Sequence, residues 1–145
     1  MTNSRLSAVL AYSGTLPFAV CAMLLAAGVP GIAGIGSWAE VAAGYGLAIA
    51  SFMAGTHWGT YLQHAPGAPL NLLLTSNAVT VAVWLTFVLA PTVVSLTVTG
   101  FAFLLLLVVD YRLASAGITT PAYLVLRRNA TFVVVAMLTL TVVLS

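Results

Sequence analysis

The chain has 145 residues, 62% of them hydrophobic and 4% charged, with a formal net charge of +2. A water-soluble domain carries about 25% charged residues, so this composition excludes one and places the chain in a bilayer. Its four arginines are too few to bind nucleic acid and suit anionic lipid headgroups at one membrane surface.

A spanning helix takes about 20 apolar residues to cross about 30 Å of hydrocarbon, and Gly and Pro clusters divide the chain into five such stretches. The first is expected over about residues 8–28, with Pro17 as a kink. Its apolar length exceeds the 7–15 residues of a signal-peptide core, so it is expected to be retained despite Arg5 before it and small residues at Ala26, Ala27 and Gly28. Cys21 is the only cysteine, and no internal disulfide can form. The segment GVPGIAGIGS, residues 28–37, reads as an extended loop. The second helix is expected over about 38–62, ended by QHAPGAP. The third and fourth, about 70–90 and 92–114, are separated only by Pro91, which lacks an amide hydrogen and fits a first helical position. After SAGITTP, Pro121 opens a fifth helix to about residue 144. The expected fold is all-α, a compact bundle of five transmembrane helices forming one domain over residues 1–145.

With five crossings the termini lie on opposite sides. Arg5, Arg112, Arg127 and Arg128 all fall on the N-terminal side, and no Lys or Arg falls on the other. The positive-inside rule then puts the N-terminus in the cytoplasm and the C-terminus outside. With no Arg-rich, Ser-rich transit segment before the first span, the expected location is a bacterial cytoplasmic membrane, with the mitochondrial inner membrane as the alternative.

Along the second helix, Gly44, Ala48, Ser51, Gly55 and Gly59 keep one face small. A second small row, Gly46, Ala50 and Ala54, lies beside it. Small residues let helices approach closely in lipid, so the first row is expected to make this helix the packing centre. A hinge or a self-association face is the functional alternative.

The run YGLAIASFMAGTHWG, residues 45–59, resembles the signature of the domain-of-unknown-function 3429 family, which includes transmembrane protein 69. LAYSGTLPF in the first helix, Trp84 in the third and DYRLASAGITTPAYLVLR from Asp110 to Arg127 are similar to that family in order and spacing. Two positions depart from it: Ala54 stands in place of a second glycine, and Ser76-Asn77 in place of a proline. The resemblance implies a small helical membrane protein and supplies no catalytic residues.

The polar side chains converge on the arginine-bearing leaflet. The candidate cluster is His57, Trp58, Asn77, Asp110, Arg112 and Arg127. A charge at mid-membrane costs about 2.5–3.5 kcal/mol on insertion scales and seeks a partner. Asp110 lies about four residues before the end of its helix and Arg127 about six after the start of the next, so their depths match. Arg112, two residues from Asp110, is a poor partner on a helix. Asp110 with Arg127 is therefore the expected pair. It is either a structural clamp between the last two helices or part of a cavity with His57 and Asn77.

His57 and His64 would stand roughly 10 Å apart on a helix, too far to share a metal, so no cofactor or metal site is expected. Gly44-Tyr45-Gly46 sits in a helical pattern and is no ion filter. With no nucleophile beside a base and no carboxylate pair, the expected function is non-enzymatic. It is that of an accessory, assembly or scaffold subunit packing on a larger membrane complex through its helix faces, or of a homo-oligomer in the bilayer. The alternative is a small-ligand binding protein or transporter using the polar cluster.

Overall fold

The computed structural model describes residues 3–64, 67 and 70–145. The stretch expected as one kinked helix is two, α1 (Asn3–Ser13) and α2 (Leu16–Ala26). Pro17 falls in the first turn of α2. Its missing N–H and its ring stop the ladder from running through. Gly14 and Thr15 make the corner, where the Thr15 N–H and hydroxyl both donate to the Tyr12 carbonyl, at 3.0 and 2.8 Å. The Tyr45 hydroxyl donates to the Gly14 carbonyl at 3.0 Å and ties the corner to the next helix.

Segment 28–37, expected as a loop, holds a small hairpin of β1 (Gly31–Ile32) and β2 (Gly36–Ser37), antiparallel with Gly31 opposite Ser37. Gly28, at φ +75°, ends α2 in the left-handed region that lets Val29 N–H reach back to the Leu24 carbonyl. Ser37-Trp38-Ala39-Glu40 then starts α3 (Trp38–His64) as a capping box. Ser37 N–H donates to the Glu40 carboxylate at 2.7 Å, and Glu40 N–H donates to Ser37 Oγ at 3.2 Å.

Of the QHAPGAP break, residues 65, 66, 68 and 69 lie outside the described residues. Helix α4 (Leu72–Leu89) begins two residues later than expected, because the Asn71 side chain accepts Leu74 N–H at 3.0 Å and sets its start. Ala90, before Pro91, is extended as a pre-proline residue prefers, and α5 (Thr92–Ser115) follows at once. Gly117, at φ +73°, closes α5 as Gly28 closes α2. Thr120 and Pro121 open α6 (Pro121–Leu144), the Thr120 hydroxyl accepting Tyr123 N–H at 3.3 Å.

Helix α3 packs against α2, α4, α5 and α6; α5 also packs on α4 and α6, and α1 and α2 lie on α6. Phe18 of α2 is wedged in the centre, its ring 5.0 Å from Tyr45 and 6.2 Å edge-on from Phe103. The packing face of α3 corrects the sequence expectation. Gly46, Ala50 and Ala54 are buried, with His57 below them, whereas Ala48 and Gly55 are exposed and Gly44, Ser51 and Gly59 half-buried. A Cβ on Gly46 would come 3.0 Å from Thr99 of α5, while one on Gly55 or Gly59 would meet nothing within 4 Å. Both rows are small, but only one can face α5.

Among the described residues, four segments are long and apolar enough to cross a membrane: Arg5–Ala26, α4, α5 and α6. Helix α3, with 27 residues, is long enough to span but is not among them. It carries Thr56, His57 and Thr60 in its last turns.

Candidate functional site

Three helices deliver one charged side chain or imidazole each to a single buried point. Asp110, near the end of α5, is 1% exposed, His57 of α3 1% and Arg127 of α6 8%. Arg127 Nε donates to Asp110 Oδ2 at 2.7 Å, and His57 Nε2 lies 2.9 Å from Asp110 Oδ1. An ionised carboxylate only accepts hydrogen bonds, so His57 carries its proton on Nε2. With the guanidinium always charged, the Asp110–Arg127 pair is neutral as a unit. Sharing one carboxylate between two donors lowers the cost of burying it, since a desolvated charge is tolerable only when paired and hydrogen-bonded.

The other members of the expected cluster do not join it. Trp58 is 43% exposed on the opposite side of α3 from the core. The Asn77 side chain is exposed and donates to the Leu73 carbonyl at 2.8 Å within its own helix. Arg112 is exposed at the end of α5. One residue apart from His57, or two from Asp110, a side chain cannot share a helix face. Among the described residues, no three His, Cys, Asp or Glu side chains stand close enough to hold a metal.

Two hollows flank the triad. The first, of about 360 Å³, is the more polar of the two: Thr56, Thr60, Leu113, Thr119, Thr120 and Tyr123 line it together with the buried His57 and Asp110. The second, of about 270 Å³, is an apolar cleft among α1, the Gly14-Thr15 corner, α3, α5 and α6. Leu10 and Phe52 on its border are 62% and 68% exposed, so its mouth faces laterally, where hydrocarbon would lie. Tyr123 lines both hollows.

Arg127 and Thr131, which line the inner wall of the apolar cleft, each keep a buried polar atom without a hydrogen-bond partner, Nη2 and Oγ1. Most other helical threonines bond a carbonyl three or four residues back, as Thr99, Thr139 and Thr141 do at 2.8 Å. Thr131 does not. Sequence reasoning missed it, although its place four residues after Arg127 puts both on one face of α6.

The chain matches the family of proteins of unknown function DUF3429 over residues 3–143, and it belongs to that family. No curated protein and no solved structure matches it.

Proposed function

We propose that this DUF3429 protein is a non-enzymatic membrane protein that holds a small ligand in the apolar cleft beside Arg127. The observation that carries this reading is the pair of buried, unpartnered polar atoms, Arg127 Nη2 and Thr131 Oγ1, on two residues that line a mostly apolar cleft. Small-ligand sites combine these properties: concavity, an apolar lining and a few convergent polar groups. A clamp needs only the Arg127 Nε contact to Asp110. It explains neither the second nitrogen nor the hydroxyl.

In this reading α3 crosses the bilayer with the other four segments, the N-terminus is cytoplasmic and the C-terminus outside, because Arg5, Arg112, Arg127 and Arg128 then share the cytoplasmic side. The triad and the cleft fall in the inner leaflet. A bacterial cytoplasmic membrane is the proposed location, with the mitochondrial inner membrane as the alternative.

A second reading, an accessory or scaffold subunit of a larger complex, draws on a shallow groove between α4 and α5 of about 700 Å³, where Ala78, Ala82 and Ala102 leave room for another helix. Native mass spectrometry of the protein released from its own membrane separates the two. A small molecule retained one per chain and lost in Ala130→Trp, which fills the cleft, supports ligand binding. A bare chain in stoichiometric association with a larger membrane protein supports the scaffold and overturns the ligand.

A further inference from the structure

The depth of the unpartnered atoms and the charge of the triad restrict what the cleft can take. Thr131 is ten residues beyond Pro121, the first residue of α6, which is about 15 Å along the helix at 1.5 Å per residue. That is about half of the roughly 30 Å hydrocarbon layer. Arg127, six residues in, is about 9 Å deep on the same rise. A phosphate headgroup, or a glycerol ester anchored beside one, would have to leave the interface to reach Thr131. The occupant's polar group is therefore one that moves freely in hydrocarbon.

Its charge follows from the same three side chains. Asp110 and Arg127 neutralise each other, and His57 completes the contacts of the same carboxylate. An anion added beside Arg127 would compete with Asp110 for the guanidinium and leave that pair with a net negative charge in a low dielectric, which is costly. A neutral acceptor adds no charge. Arg127 Nη2 can only donate and Thr131 Oγ1 can donate or accept, so the group they suit is a neutral carbonyl oxygen. Both atoms are buried as the side chains stand, so a ligand in the cleft reaches them only when those side chains turn. Thr has two accessible χ1 wells in a helix, and one step exchanges its methyl with its hydroxyl.

The shape selects the rest of the molecule. At about 270 Å³ the cleft lies just below the range of drug-sized ligand sites, about 300–1,000 Å³, room for a head and not for a long tail. Phe52, Met53, Phe103 and Tyr123 among its lining residues offer ring faces and a thioether, surfaces suited to a flat ring. The mouth between exposed Leu10 and Phe52 lets an apolar tail run out into the lipid.

We infer that the cleft binds the ring of a lipid-soluble quinone, one ring carbonyl accepting from Arg127 and Thr131 and the tail leaving past Leu10 and Phe52. This rests on the ligand-binding reading above and names the ligand class. No electron transfer is part of it.

The test is thermal unfolding of the full chain in phosphatidylcholine nanodiscs, titrated with decylubiquinone and, in a parallel arm, with palmitate. The expected result is a saturable rise in midpoint with the quinone. Thr131→Val should need roughly tenfold more quinone, the loss of about one hydrogen bond. Ala130→Trp should unfold cooperatively but show no rise, and Val88→Trp, on a lipid-facing position of α4, should keep it. A saturable, Ala130→Trp-sensitive rise with palmitate and none with quinone overturns the quinone and leaves the ligand site standing. A rise equally large in wild type and Ala130→Trp, or no rise with either probe, overturns both.

Discussion

Arg127 Nε lies 2.7 Å from Asp110 Oδ2, joining α6 to α5 across seventeen residues of sequence. The same carboxylate takes His57 of α3 on its other oxygen, so one acidic side chain fixes the relative depth of three helices.

Removing one partner of such a buried pair costs about 3–5 kcal/mol, because the other charge stays buried and unpaired. Asp110→Asn and Arg127→Gln should each lower the thermal midpoint strongly, and the double variant should recover much of the loss. A double-mutant cycle on thermal stability measures this. Additive effects would mean that the two side chains do not interact.

His57 offers a milder test. His57→Phe leaves Asp110 Oδ1 without its donor and should cost about 1–3 kcal/mol, whereas His57→Gln, whose amide can donate to the same oxygen, should recover part of that. Chemical denaturation in detergent reads both. Equal stability of His57→Phe and wild type would contradict an energetic role for the contact.

The packing face of α3 makes opposite predictions for two glycines. Gly46→Leu drives a side chain into Thr99 and should destabilise by about 1–3 kcal/mol or more, as overpacking does. Gly55→Leu enters open space and should be near neutral. Equal tolerance of both changes would show that α5 does not lie on the Gly46 face.

The proposed topology predicts that reporter fusions at Ala33, His64, Pro91, Gly117 and Ser145 alternate outside, inside, outside, inside, outside. The four-to-zero arginine asymmetry motivates this pattern. A cytoplasmic report at Ser145 contradicts five crossings.

Much of the helical frame was legible because Gly and Pro mark its breaks: Pro91 and Pro121 stand at the starts of α5 and α6. Asp110 and Arg127 were legible as a pair because buried charges at equal depth seek each other. The packing row of α3 was misread from small residues alone. His57 held the missing signal: an imidazole about two turns inside the end of that helix must face protein or water, and Gly46, Ala50 and Ala54 share its face. Ser37 and Glu40 had the spacing of a capping box across the boundary between the expected loop and the second helix. Thr131 could not be found from sequence, since an unsatisfied hydroxyl shows only once its neighbours are placed.

The most direct measurement is a high-resolution experimental map of the protein isolated with its own lipids. Density for a small ligand between Leu10 and Phe52, with an acceptor about 2.7–3.2 Å from Arg127 Nη2 and Thr131 Oγ1, is the predicted result. A cleft closed by α1 moving onto Phe52, with the Thr131 hydroxyl bonded to the Arg127 carbonyl as in most other helical threonines, would contradict it.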